Sequence, residues 1–303
     1  MPRDDLYEEY WALLVAAAER IGIPLPDAHL LRLHSNALFA LPSAGLVIRI
    51  ATNPAAVPRV TAAVGITRWL AAQGFPCVIP ADIGEQPLTV DGRAVSVWRY
   101  IPPSAGLPPS AADLGRLLHR LHDQPAPPQP PPALSDPFDS VAAAIDQAPE
   151  ALSRQDHEWL TERIGHLGEL WQNMDFPHLP GLIHGDAHPG NLLRTPAGEV
   201  LLCDWDHVAI GPREWDLAQI YYTQRRFGHP PEPDIESFIE AYGWDPRRWP
   251  GLASMIAIRE ITGLSPYFRT AAAKPFSGRE LASRLNSLRR GDITARWNTP
   301  PSE

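Results

Sequence analysis

Lysine is almost missing from this 303-residue chain: Lys274 is the only one, and the other twenty-five basic residues are arginines. Lys274 lies late in the chain, so an early strand cation that holds phosphate would be an arginine, with a planar fork in place of a point charge. Cysteine is scarce as well, with Cys77 and Cys203 alone. Both lie in apolar stretches, which predicts buried free thiols in a reducing cytoplasm rather than a disulfide framework. No run of eighteen apolar residues occurs, so no membrane span is expected. The start, Met-Pro-Arg-Asp-Asp, lacks the basic-then-apolar pattern of a secretory signal. Positive charge is in deficit. The net charge of -9 argues against a nucleic-acid binder and suits a cationic small partner. Glycine-rich phosphate loops are absent: neither a Walker-type motif nor G-x-G-x-x-G is found. Finally, no acidic residue lies between Asn53 and Ala81.

What is present is concentrated near the middle. Leu182-Ile183 leads into His184-Gly185-Asp186-Ala187-His188-Pro189-Gly190-Asn191, and Asp204-Trp205-Asp206 follows a short way on. Between them, Leu192-Leu193-Arg194 and Val200-Leu201-Leu202-Cys203 read as strands, joined by Thr195-Pro196-Ala197-Gly198-Glu199, which carries turn chemistry. A hairpin brings its two ends together, so Asn191 and Asp204 should meet at its open end, with Asp186 one loop away. Two carboxylates and an amide at these intervals are what a magnesium-dependent phosphoryl transferase needs. One carboxylate accepts the proton of an attacking hydroxyl; the other, with the amide oxygen, holds Mg²⁺ against nucleotide phosphates. His184, Asp186 and His188 at alternate positions also fit a zinc-ligand set or a plain polar turn. The downstream hairpin and Asp204 favour phosphoryl transfer.

His184-Gly-Asp186-x-x-x-x-Asn191 followed by Asp204-Trp-Asp206 resembles the aminoglycoside phosphotransferase family, which is similar to the eukaryotic protein kinases. The resemblance runs along nearly the whole chain and is specific between residues 182 and 218. It implies an α+β, two-lobed protein-kinase-like fold. Residues 1–100 would form a small mixed α/β nucleotide-binding lobe. Residues 101–303 would form a larger, mainly helical catalytic and substrate-binding lobe, with a Pro-rich loop at 124–137. By the same resemblance Asp186 is the catalytic base, and Asn191 and Asp204 are the metal ligands. His184 orders the loop, and His188 packs the loop or stands near substrate or metal. Asp206 contacts the acceptor or fixes its loop, and Asp216, in Asp216-Leu217-Ala218, hydrogen-bonds the catalytic loop.

The N-terminal part can be read around the strand Gly45-Leu46-Val47-Ile48-Arg49-Ile50. Kinases place a lysine on this strand for the phosphates; here Arg49 stands in its place. Upstream, the turn at Ser35 and Asn36 occupies the position of the loop that covers the phosphates, making both candidates for nucleotide binding. The helix that follows, Ala55 to Gln73, would carry a glutamate in the family to pair the strand lysine. Ala63 stands about where it would be, so the cation–carboxylate clamp is missing or rebuilt. An extended segment, Ala94 to Ile101, runs into Pro102-Pro103 and suits a hinge, with Trp98 and Tyr100 as purine-side candidates or as packing residues. Ser110 opens a helix as N-cap with Asp113 in its first turn, and the region from Asp234 to Arg290 reads as three helices.

The expected activity is ATP- or GTP-dependent phosphorylation of a hydroxyl on a small molecule, such as an aminoglycoside-like antibiotic, with Mg²⁺ as cofactor. Two other readings stay open: a Ser/Thr kinase for peptides, and a nucleotide-binding pseudokinase, suggested by the missing glutamate and glycine-rich loop.

Overall fold

The computed structural model describes residues 3–34, 36–272 and 274–299. In chain order the elements are α1 (Arg3–Ile21), β1 (His29–Leu33), β2 (Asn36–Leu41), β3 (Leu46–Ala51), α2 (Val57–Ala72), β4 (Leu88–Val90) and β5 (Arg93–Arg99). Then come α3 (Ala111–His122), α4 (Asp139–Gln147), α5 (Arg154–Gln172), β6 (Gly181–Ile183), β7 (Leu192–Arg194), β8 (Val200–Leu202) and β9 (Ala209–Gly211). The chain closes with α6 (Glu214–Phe227), α7 (Glu232–Tyr242), α8 (Leu252–Thr262), α9 (Ser265–Thr270) and α10 (Pro275–Arg289). By internal contacts the chain divides into two compact units. One takes in residues up to Asp113, 123–132 and 184–209; the other takes in 114–122, 133–183 and the chain from Ile210 onward.

The first unit is built on an antiparallel sheet of order β1-β2-β3-β5-β4. Strand periodicity sends alternate side chains to opposite faces. Ile48 and Ile50 of β3, with Val95 and Val97 of β5, join Leu13, Leu14 and Ala17 of α1 in one core. Val47 and Ala51, with Ala94 and Trp98, pack on the other face against Val60 and Val64 of α2. Each of those fully buried aliphatic side chains is stabilised by about 2 kcal/mol relative to exposure. A one-residue slip would exchange the faces and drive Arg49 into the apolar α1 core, so the pattern fixes the register. Arg49 is thereby committed to the α2 side, paired with Leu38 on one neighbour and Ser96 on the other. The β4–β5 hairpin turns through Asp91 and Gly92, both at positive φ (45° and 76°), the backbone a two-residue hairpin turn requires.

The β7–β8 hairpin forms where the strands and turn residues predict it, with Leu192 opposite Leu202 and Arg194 opposite Val200. Ser110 caps the next helix: its Oγ accepts from the Asp113 N–H at 3.1 Å, and the Asp113 carboxylate accepts from the Ser110 N–H at 2.8 Å.

The second unit is mainly helical, with the short β6–β9 pair. Its interior holds ion pairs beside aromatic faces. Arg226 Nε donates to Glu260 at 2.7 Å, and Arg284 Nε to Glu280 at 2.9 Å. The Arg284 guanidinium lies 3.9 Å from the Tyr267 ring centroid and that of Arg259 lies 3.8 Å from the Trp215 ring. The region from residue 232 holds α7, α8, α9 and α10, one helix more than the sequence pattern predicts. Gly263 closes α8, and a separate short helix starts at Ser265 before α10 begins at Pro275.

Candidate active site

The loop between β6 and β7 is held by its own backbone and two imidazoles. His184 is fully buried; its Nε2 donates to the Cys203 carbonyl at 2.9 Å and its Nδ1 accepts from the Asp186 N–H at 3.3 Å. The ring also meets the Trp205 indole edge-on at 4.8 Å. Both ring nitrogens are thus occupied, which leaves neither for a metal. No group of three or more His, Cys, Asp or Glu side chains among the described residues is arranged to hold a metal ion, so the zinc-set reading of His184, Asp186 and His188 falls away. Gly185 has φ +86°, and a Cβ there would lie 2.0 Å from the His207 carbonyl oxygen. Only glycine fits this point.

Asp186 keeps its carboxylate part exposed, at 37%. Its carbonyl oxygen accepts from Asn191 Nδ2 at 2.9 Å, so the amide at the end of the loop braces the backbone at its start. His188 Nδ1 accepts from the Gly190 N–H at 3.1 Å, and its Nε2 lies 3.7 Å from Asp186 Oδ2. The imidazole is turned so that its N–H side faces the carboxylate.

Across the hairpin, the Asn191 carbonyl accepts from the Cys203 N–H at 2.9 Å, with Asp204 the next residue. Asp204 adopts a left-handed backbone (φ 62°, ψ 63°), a conformation that costs most non-glycine residues about 1–3 kcal/mol and concentrates at functional sites. Its carboxylate raises the already burial-shifted Cys203 thiol, which is pushed up to about 12.

Arg49 is where the sequence departs furthest from a lysine-based clamp. It is buried, 7% exposed. Its Nη1 donates to Asp206 Oδ1 at 2.6 Å, its Nη2 to Asp204 Oδ1 at 3.1 Å, and the same Nη2 closely contacts Asp206 Oδ2. This is a two-pronged guanidinium–carboxylate pair with a third bond to Asp204. Burial alone would disfavour charge on both partners. The Asp206 and Asp204 carboxylates more than offset this for Arg49, whose pKa is raised; for Asp206, burial pushes up and Arg49 pulls the net value below the usual carboxylate range. Asn36, buried at the start of β2, donates from Nδ2 to Asp206 Oδ2 at 3.3 Å. Ser35 lies outside the described residues.

The remaining candidates take different places. Trp98 is buried among Ala51, Ala56, Val60 and Val64, and its indole N–H donates to Ser96 Oγ at 2.9 Å. Tyr100 is half-buried, and its N–H donates to the Gly45 carbonyl at 2.8 Å. Asp216 belongs to the second unit, buried in α6. One of its carboxylate oxygens stands 3.3 Å from His122 Nε2, while His122 Nδ1 is 2.9 Å from the Tyr242 hydroxyl.

One charged neighbour escapes sequence reading. Arg59, in the first turn of α2, brings its Nε to 4.0 Å from Asp206 Oδ2. The signal for it is the α2 composition: no acid, and Arg59 a single turn before Ala63 on the same helix face.

The site thus combines a loop carrying the part-exposed Asp186, a hairpin ending at Asp204 and a buried strand arginine, Arg49. The chain belongs to the APH phosphotransferase enzyme family, whose model matches residues 11–252. Its fold is α+β and protein-kinase-like, with a small antiparallel-sheet part and a larger helical part. The amicoumacin kinase hAmiN, solved with AMP-PNP, Ca²⁺ and Ami, superposes with a TM-score of 0.71 at 13% identity, covering 98% of each chain. The GDP and kanamycin complex of APH(2")-IIia gives 0.61 at 16%, covering 94% of this chain and 99% of that one. A choline/ethanolamine kinase family protein from Mesorhizobium loti gives 0.61 at 18%, covering 93% and 96%. An uncharacterised protein of Deinococcus radiodurans is 29% identical over 178 residues, 50% of this chain and 46% of that protein. The match thus spans about half the length of that relative.

Proposed function

We propose that this phosphotransferase moves the γ-phosphoryl group of ATP or GTP to a hydroxyl of a small, cationic molecule such as an aminoglycoside-like antibiotic. The observation that carries the reading is the brace between Asn191 Nδ2 and the Asp186 carbonyl, closed by the hairpin that sets Asp204 beside Asn191. It holds a part-exposed carboxylate and a potential metal-side pair in one rigid loop. Asp186 accepts the proton of the acceptor hydroxyl as the new P–O bond forms. Its backbone is fixed at the N–H by His184 and at the carbonyl by Asn191, and His188 orients the carboxylate from the side.

Mg²⁺ is the cofactor that the donor set suits. Asp204 offers a part-exposed carboxylate, and Asn191, with Nδ2 spent on Asp186, has an Oδ1 to which no described group donates. These are hard oxygen donors of the kind Mg²⁺ prefers. When bound, the ion neutralises charge on the phosphates. Arg49 supplies the fixed protein cation for the same phosphates, in the position a lysine takes in kinases. Asn36, at the start of β2, would serve the phosphates from the same strand pair, with Ser35 a candidate from the sequence alone, and Trp98 and Tyr100 belong to the strand and exit that would flank the base. Nucleotide handling belongs to the N-terminal lobe, residues 1–100, and acceptor binding to residues 101–303. The net charge of -9 supports a cationic acceptor. No helix among the described residues is long and apolar enough to cross a membrane, and both cysteines are free thiols; together these support a cytoplasmic enzyme.

One observation favours a pseudokinase: the bond from Arg49 to Asp204, which would have to open before Asp204 could take a metal. A nucleoside-triphosphate consumption screen over aminoglycosides, sugars, amino alcohols and Ser/Thr peptides decides among the readings. Turnover with a small hydroxylated cation supports the proposal; turnover with peptides alone replaces it with the protein-kinase reading. Nucleotide binding without turnover on any acceptor leaves the pseudokinase.

A further inference from the structure

Arg49 has two tasks that conflict. In the structure its two terminal nitrogens bind Asp206 and Asp204. Under the proposed function it must turn to the nucleotide phosphates, while Asp204 must turn to the metal. Asp206 then loses its cation. It is 7% exposed, so water replaces that partner poorly, and Asn36 at 3.3 Å is a neutral donor. A buried carboxylate stripped of its cation is costly, and this cost would be charged against nucleotide binding unless another cation steps in.

Arg59 is placed to do so. Its Nε stands 4.0 Å from Asp206 Oδ2, about one ångström beyond hydrogen-bond length, and has no hydrogen-bond partner. Its side chain is 37% exposed, free enough to close the gap. The other arginine of α2, Arg68, donates to the Gly84 carbonyl and is engaged elsewhere. No acid on α2 competes for Arg59.

We propose that Arg59 is a positioning residue that takes over Asp206 when Arg49 turns to the nucleotide, so that the two arginines share one carboxylate in alternation. The inference rests on the phosphotransferase reading of Arg49. The clamp is charge-reversed relative to a kinase clamp: the helix contributes the cation, and the carboxylate comes from the residue two places beyond the metal-side Asp204. Arg59 does not touch the nucleotide in this scheme; it acts through Asp206.

The test is a double-mutant cycle on the full-length chain. Binding of a non-hydrolysable ATP analogue with Mg²⁺ is measured by calorimetry for wild type, Arg59→Gln, Asp206→Asn and the double variant, with thermal unfolding of each nucleotide-free protein alongside. Arg59→Gln should weaken analogue binding roughly tenfold, a coupling of the size neighbouring charged groups show. It should leave the nucleotide-free melting temperature unchanged, because Arg49 still satisfies Asp206 in that state. In the Asp206→Asn background Arg59→Gln should have no further effect, and Arg59→Lys should recover most of the affinity. An equal loss in both backgrounds would overturn the relay in favour of a direct phosphate contact. Wild-type affinity in Arg59→Gln would remove Arg59 from the site, and a lowered nucleotide-free melting temperature would make it a simple structural residue. If Asp206→Asn does not fold, the Gln and Lys variants of Arg59 still decide by affinity and melting temperature. Binding by wild type that is indifferent to Arg59 overturns the relay alone; no binding by wild type overturns the phosphotransferase reading with it.

Discussion

Replacing Arg49 with alanine should damage both the fold of the first unit and its hold on nucleotide, by separable amounts. The side chain is 9% exposed and makes three hydrogen bonds to two carboxylates. Removing one member of a buried ion pair costs about 3–5 kcal/mol, because the other charge is left behind. Here Asp206 retains Asn36 at 3.3 Å and Arg59 at 4.0 Å, so the cost should fall at the lower end, about 3 kcal/mol. For a chain of 303 residues that corresponds to a melting temperature lowered by roughly 5 °C. Thermal unfolding followed by circular dichroism reads it. The double variant Arg49→Met/Asp206→Leu should regain most of the loss, since a buried ion pair exchanged for packed apolar groups is often close to neutral. Nucleotide affinity should not return with it. Arg49→Lys should restore neither fully, because an ammonium cannot meet both Asp206 oxygens as a fork does. A melting temperature for Arg49→Ala within about 1 °C of wild type, a change smaller than one kcal/mol would produce, would refute the claim that this pair anchors the site.

Gly185→Ala should cost activity far more than an ordinary surface change, because its Cβ would meet the His207 carbonyl at 2.0 Å and its φ of +86° disfavours any side chain; an enzyme assay at matched folded concentration checks this, and near-normal turnover would contradict it. Burial pushes the Cys77 thiol up to about 12, so alkylation by iodoacetamide at pH 8 should be slow in the folded protein and rapid in urea, as mass spectrometry would record. Burial raises the Glu280 carboxyl, but the Arg284 and Asn298 hydrogen bonds outweigh it and hold the net value below the usual 4.5. Its stabilisation is therefore complete above that value and is lost as pH falls through the lower folded one, so the fall in melting temperature below about pH 4 should be shallower in Glu280→Gln than in wild type.

The parts of the molecule governed by local rules were open to sequence reading. The β7–β8 hairpin follows from two short apolar strands around Thr195–Glu199. The Ser110 cap follows from a hydroxyl three residues ahead of a carboxylate. What escaped depends on groups far apart in the chain. Arg49 and Asp206 are 157 residues apart, and the strand alternation shows only which sheet face Arg49 takes, not which carboxylate meets it there. The Arg59 contact adds a third element, α2, whose packing on the sheet is set by Val60, Val64 and Trp98. Trp98 is open to two readings because an aromatic on a strand suits a ring contact as well as a core; the structure gives it an N–H bond to Ser96 and an apolar shell. Helices α4 and α5 carried no clear signal, α5 having Gly165 and Gly168 within it, and the separate α9 is too short for helical periodicity to reveal.

The central claim is that Asp186 is the base of a phosphoryl transfer, and steady-state kinetics of Asp186→Asn on an acceptor found by the screen tests it most directly. The substitution preserves shape and the backbone bonds to His184 and Asn191 while removing the proton acceptor. The account predicts a kcat lower by about 10²–10⁴-fold with nucleotide affinity nearly unchanged. A folded Asp186→Asn protein that turns over at the wild-type rate would contradict it.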